Sequence, residues 1–201
     1  TSAAEATYGE KRSEFIGHIK PVDTEEDARA FIAEMKKKYH DARHNCWCYI
    51  IRGSAERYSD DGEPQGTAGI PMLEVFHKEG ITNFVCVVTR YFGGILLGAG
   101  GLLRAYTRSA KDALDAAGVS VVRRWVETEI GCSYASMERI RQIILSFDGL
   151  VSDTEYGVSV TLLAVIPEER WDAFSAELYE ATGGSIRPIS VGESFRAVPL
   201  R

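Results

Sequence analysis

Between a β-prone run, Phe84 to Tyr91, and an amphipathic stretch that begins near Leu102 lies the segment Phe92-Gly93-Gly94-Ile95-Leu96-Leu97-Gly98-Ala99-Gly100-Gly101. Its five glycines fall within nine residues, Gly93 to Gly101. Glycine alone visits positive φ freely and lets another backbone approach closely, so this segment predicts a tight connection from a strand into a helix. Backbone amides at such a helix start also suit an anion. The known phosphate fingerprints do not fit, however. No Gly-Lys-Ser/Thr follows, and the pattern from Gly98 ends on Leu103, where a dinucleotide fingerprint needs glycine or alanine. Two readings stay open: loop packing, or a surface for a ligand or partner.

The helix expected from about Leu102 to Ala117 is more specific. At 100° per residue, Arg104, Arg108 and Lys111 fall in one stripe, while Leu103, Tyr106, Ala110, Leu114 and Ala117 lie opposite and are expected to pack inward. Arg90 before the glycines and Arg123 and Arg124 after the helix are candidates to extend a cationic patch. The alternative is an ordinary solvated face.

A polar loop from Gly53 to Gly69 carries Asp60, Asp61 and Glu63 ahead of Pro64-Gln65-Gly66-Thr67. Crowded carboxylates hold hard cations such as Mg²⁺ or divide into an acid and a base, yet Asp-Gly and Pro are also turn chemistry. His44, Cys46 and Cys48 alternate along a strand and share one face at ~6.6 Å per step, long for two thiolates on one zinc. No metal or other cofactor is expected. The four cysteines, Cys46, Cys48, Cys86 and Cys132, sit among apolar neighbours without spaced pairs and read as buried free thiols.

The other elements follow from period and punctuation. A strand-like stretch, Phe15 to Ile19, leads to Thr24, a helix cap with Asp27 completing a capping box, and to Ala28, Phe31, Ile32, Met35 and Tyr39 at helical spacing. A strand from Asn45 to Arg52 and a helix from about Ala68 to Lys78 with Pro71 in its first turn precede the Phe84 to Tyr91 strand, expected at the sheet centre. After Gly118 the order is strand (Trp125 to Cys132), helix (Ala135 to Phe147), strands (Leu150 to Tyr156 and Val158 to Ile166), helix (Glu168 to Thr182) and strand (Ile186 to Phe195). That is the ferredoxin-like β-α-β-β-α-β unit. The 201 residues therefore divide into two α+β domains, residues 1–122 and 123–201.

Charge follows the same division. Residues 1–126 hold 17 basic and 17 acidic side chains and residues 127–201 hold 6 and 12, which together make the net charge of -6. Sequence-blind nucleic-acid binding normally needs a basic excess, so any such contact must be a local patch, and no reading of DNA sequence is expected. No apolar run approaches the ~18 residues of a membrane span, and Thr1 to Lys11 lacks the pattern of a secretion signal, so the expected location is the cytoplasm.

His44-Asn45-Cys46-Trp47, the run Ser59 to Gly69, Thr89-Arg90-Tyr91-Phe92-Gly93-Gly94 and Gly98-Ala99-Gly100-Gly101-Leu102 through Arg104-Ala105-Tyr106 together resemble the signature of the YigZ/IMPACT family. Cys48 departs from it, standing where a small aliphatic residue is more usual. The resemblance implies a first domain with the fold of ribosomal protein S5 domain 2 and a ferredoxin-like second domain similar to the C-terminal domain of translation elongation factor G. It further implies a binding protein without known catalysis that modulates translation, its partner being RNA, the ribosome or a translation-regulatory protein. The family motif positions are His44, Asp60, Asp61, Glu63, Gln65, Thr67, Arg90, Tyr91, Gly93, Gly94, Gly98, Gly100, Gly101, Arg104 and Tyr106, with Arg108 and Lys111 added from the helical stripe. The competing expectation is a small-ligand or phosphate-binding enzyme built on the acidic and glycine-rich loops, with Mg²⁺ as the candidate cation.

Overall fold

The computed structural model describes residues 2–200. It is an α+β protein of two compact units, Thr1–Val119 with Pro199–Arg201, and Ser120–Val198.

In the first unit, strands β1 (Ala4–Glu10), β2 (Ser13–Pro21), β3 (His44–Ile51), β4 (Ala55–Ser59) and β5 (Phe84–Tyr91) form one sheet in the order β1-β2-β5-β3-β4. The β-branched run of β5 is central as expected, and its Phe84 to Arg90 are all buried. Helix α1 (Glu25–Lys38) covers one face with Ala28, Phe31, Ile32 and Met35, which pack on Tyr49, Ile51, Val85 and Val87. Its cap is the expected one: the Thr24 hydroxyl oxygen accepts the Asp27 N–H at 3.1 Å, and the same hydroxyl donates to the Asp27 carboxylate at 2.6 Å. The other face is covered by α2 (Gly69–Glu79) and α3 (Gly98–Ala117), which bury Met72, Phe76, Leu102, Tyr106 and Leu114 against Phe15, Cys46, Cys48 and Val88.

Several expectations need correction. Strand β1 lies in a stretch for which the sequence predicts no element: it alternates half-buried and exposed residues at the sheet edge, and its small Ala4 and Ala6 carry little apolar signal. The β1–β2 hairpin turns on Lys11 (φ 45°) and Arg12 (φ 65°), a left-handed pair without the usual Asn-Gly marker. The loop Gly53 to Gly69 contains β4, whose Glu56, Arg57 and Tyr58 are exposed and leave no hydrophobic period to read. Helix α3 begins at Gly98, not Leu102, so Gly98, Gly100 and Gly101 belong to its first turn. The inward residue there is Leu102, while Leu103 is 45% exposed.

The second unit realises the ferredoxin-like order. Strands β6 (Ser120–Cys132), β7 (Leu150–Tyr156), β8 (Val160–Pro167) and β9 (Ile189–Pro199) form a sheet in the order β7-β8-β6-β9. Helices α4 (Tyr134–Ser146) and α5 (Trp171–Ala181) bury Ile140, Ile144, Phe174 and Leu178 on Ile130, Leu162, Ala164 and Ile166 of one face. The helix expected from Glu168 opens with a 3-10 turn, Glu168–Arg170, and Gly183 and Gly184 stop α5 at positive φ.

Candidate functional site

Strands β3 and β5 run antiparallel with His44 opposite Arg90 and Asn45 opposite Thr89, which brings the ends of two of the motif segments side by side. The acidic loop after β4 closes over them. Asp61 (φ 45°) and Gly62 (φ 85°) are consecutive left-handed residues that reverse the chain. The loop thereby points its three carboxylates at three different sets of partners.

Asp60 turns to its own loop. Its carboxylate accepts the N–H groups of Gly66 (2.8 Å), Ala68 (3.1 Å) and Gly69 (2.8 Å), the last two being orphan donors at the start of α2. Helix α2 has no capping side chain of its own at Ala68, so Asp60 supplies the cap and the negative charge that suit a helix N-terminus. Asp61 ties β3 to α1, accepting the Asn45 N–H at 2.7 Å and the Lys36 ammonium at 2.6 Å. Glu63, only 8% exposed, points inward: its Oε1 accepts Arg90 Nη1 at 2.5 Å and the Tyr106 hydroxyl at 2.9 Å, and lies 3.9 Å from His44 Nε2. His44 Nδ1 is 2.8 Å from the Asp61 carbonyl, which sets that nitrogen as the protonated one. Burial and the nearby carboxylate hold the Tyr106 phenol far above its ordinary range, so it stays a donor to Glu63.

Arg90 is a buried strut rather than part of a surface patch. Its guanidinium carbon sits 5.4 Å from the Phe15 ring centroid and 5.5 Å from that of Phe92, and Phe92 is flanked again by Arg43 at 5.7 Å. The buried ion pair thus clamps the base of the glycine-rich segment. At Gly93 an added Cβ would lie 2.0 Å from the Arg12 carbonyl group and 2.4 Å from Ser13 N, so only glycine lets the segment cross the β1–β2 turn. Gly94 (φ 82°) and Gly98 (φ 70°) supply left-handed backbone, and an added Cβ at Gly101 would lie 2.9 Å from Leu97 Cβ.

The expected Arg104, Arg108 and Lys111 stripe exists but is mostly neutralised. Arg108 pairs with Asp112 at 2.8 Å and Lys111 with Glu79 at 2.7 Å and Asp115 at 2.8 Å. Arg104 is exposed with no carboxylate partner among the described residues. Arg123 and Arg124 do not extend the stripe as free cations, because they bond Glu169, Glu168 and Glu193 within the second unit. Gln65 is exposed, Thr67 donates to the Pro64 carbonyl at 2.6 Å, and Tyr91 donates to Asp41 at 2.8 Å, which pushes its phenol up to about 12.

Sequence reasoning missed the apolar part of this surface. Phe92, Ile95, Leu96 and Leu103 are exposed on and beside the glycine-rich segment, Leu96 by 83%. Their signal was present as bulky apolar residues inside a run of glycines. It also missed Asn45 and Thr89, buried and joined by a 2.7 Å hydrogen bond. Among the described residues, no group of three His, Cys, Asp or Glu side chains is placed to hold a metal ion. The four cysteines are free and buried as expected, and burial raises each thiol.

Residues 11–114 match the family model of the Impact N-terminal domain, and residues 130–185 match a domain of unknown function, DUF1949. The chain is 38% identical over 176 residues to the IMPACT family member YvyE of Bacillus subtilis, covering 87% of this chain and 81% of that protein. It is 33% identical over 187 residues to the IMPACT family member YigZ of Escherichia coli, covering 91% and 92%. The mouse Protein IMPACT is 33% identical over 96 residues, 44% of this chain and 30% of that one. A solved structure described as the crystal structure of a hypothetical protein superposes with a TM-score of 0.57 at 30% identity, over 96% of this chain and 95% of that one. The two matched segments lie one in each compact unit, and the first spans every residue of the carboxylate and glycine clamp; the chain belongs to the IMPACT family.

Proposed function

We propose that this chain is a non-catalytic binding protein of translation control, which meets RNA, the ribosome or a translation-regulatory protein with the outer surface of the glycine-rich segment and α3. One observation carries the reading: the exposed apolar residues Ile95 and Leu96 and the exposed cation Arg104 lie on a stretch whose two flanks, Arg90 and Tyr106, are tied together through the buried Glu63. Rigid presentation of apolar groups with a cationic rim suits macromolecular binding, because little conformational entropy is lost on docking. Family membership supports the link to translation, since the resemblance implies that relatives modulate translation by binding. The cytoplasm is the matching location, and no helix among the described residues is long and apolar enough to cross a membrane.

The reading in which Asp60, Asp61 and Glu63 serve a small ligand has less to stand on. Each carboxylate already accepts from donors of the protein itself. Co-sedimentation with ribosomes at low and high salt tests the proposal. Salt-sensitive co-migration that is lost in an Arg104→Glu and Arg108→Glu double variant supports it. Wild-type protein absent from every ribosomal fraction at low salt, and retaining no ribosome-associated protein, overturns it.

A further inference from the structure

On the opposite face of the first unit's sheet, α1 leaves part of β3 and β4 uncovered. The register sets Trp47 opposite Ser59 and Tyr49 opposite Arg57 on this side. A groove of about 410 Å³ opens there, lined by Ile32, Ala33, Trp47 and Tyr49 with Arg29, Lys36 and Arg57 around them. Apart from Lys36, which reaches Asp61, none of these residues touches the acidic loop, and the groove lies outside the surface proposed above.

The floor is aromatic, with Trp47 its accessible ring and Tyr49 buried. Trp47, half-buried, stacks on Tyr49 with ring planes 9° apart and centroids at 5.7 Å. The Tyr49 hydroxyl is already committed to Glu25 at 2.7 Å, so the polar side-chain atoms left to a ligand are hydrogen-bond donors. Arg29 pairs with Glu25 at 3.3 Å and is 72% exposed, Lys36 reaches Asp61, and Arg57 donates to the neighbouring Glu56 carbonyl at 2.9 Å. The exposed Arg29–Glu25 pair is worth little and exchanges readily for another anion, whereas Lys36 keeps its bond to Asp61 and adds positive charge at the groove edge. Arg29 and Lys36 are seven residues apart on α1, about 10 Å along its axis, so cations flank the aromatic floor at two separated points.

We infer that this groove binds an unpaired nucleotide within single-stranded RNA, its base laid on Trp47 and the phosphates on either side met by Arg29, Lys36 and Arg57. A flat apolar body with acceptor-only anions before and after it is the complement of this lining. A free mononucleotide brings its phosphates at one end only, and an acidic peptide brings backbone N–H groups for which the lining side chains have no acceptor. The inference deepens the translation-linked reading and rests on it only for the kind of nucleic acid named.

The test measures anisotropy of a fluorescein-labelled ten-nucleotide single-stranded RNA of mixed sequence against the full chain. In the expected result, Arg29→Glu with Arg57→Glu weakens binding tenfold or more, Trp47→Ala weakens it about tenfold, and Trp47→Phe, which keeps an aromatic floor, recovers most of the loss. Affinity unchanged in the arginine double variant overturns the inference. So does equal competition by a decaglutamate peptide, which would make the occupant an acidic protein segment, or by adenosine monophosphate at the same concentration, which would make it a free nucleotide. Arg104→Glu with Arg108→Glu leaves this groove intact, so ribosome sedimentation and RNA binding fail independently.

Discussion

The acidic loop from Ser59 to Gly69 and the glycine-rich segment from Phe92 to Gly101 are adjacent in architecture and opposite in use. The first is rich in charge and spends it inward: Asp60 caps α2, Asp61 ties β3 to α1, and Glu63 neutralises a buried arginine. The second is nearly free of charge and turns apolar side chains outward, with Leu96 83% exposed. A dense cluster of carboxylates therefore marks scaffold in this protein, while the bulky apolar residues among the glycines are exposed on the surface proposed for contact. The reason is energetic. Burying a charged carboxylate is costly unless it is paired and hydrogen-bonded, whereas an exposed leucine costs the fold almost nothing.

If the two regions differ in this way, substitutions in them separate stability from binding. Glu63→Gln should have the largest effect, about 4 kcal/mol lost in urea unfolding, because it leaves the Arg90 charge buried without its counter-ion. A loss below ~1 kcal/mol would mean that the clamp is not structural. Gly93→Ala comes next, at about 3 kcal/mol, since its methyl group meets the Arg12 carbonyl backbone and neither chain can yield cheaply. Asp60→Ala should cost about 2 kcal/mol by releasing three amide donors and the start of α2, and hydrogen exchange should show faster opening at Ala68 and Gly69 than in β5. On the outward side, Leu96→Ser and Arg104→Glu should each change stability by no more than ~0.5 kcal/mol in the same unfolding experiment. A melting temperature that falls as far for Leu96→Ser as for Asp60→Ala would erase the distinction between the two regions.

Much of the fold was legible without coordinates. The β5 run, the Thr24 cap of α1, the inward face of α3 at Tyr106, Ala110 and Leu114, and the β-α-β-β-α-β order of the second unit all follow from local period and capping, which neighbouring residues decide among themselves. What escaped was structure whose reason lies elsewhere in the chain. Strands β1 and β4 are edge strands whose partly covered positions are filled by small or polar residues, so their apolar signal is weak, and the β1–β2 turn uses Lys11 and Arg12 in a conformation their sequence does not advertise. The start of α3 at Gly98 likewise runs against glycine's poor helix propensity, a preference worth only ~1 kcal/mol per residue at the exposed first turn of a helix whose buried residues begin at Leu102.

The candidate site divides along the same line. From the amino-acid sequence alone came the family signature, the two-domain α+β organisation, the glycines required at a strand-to-helix connection and the buried free thiols. Only the tertiary structure decided that Glu63 belongs to Arg90 and Tyr106, 27 and 43 residues away, that Asp60 caps a helix it does not belong to, and that two of the three cations on α3 are already paired. Residue type and spacing state which charges are present, but the partner of a charge depends on distances in space, and in a folded chain those distances are set by sheet register and packing rather than by separation along the sequence.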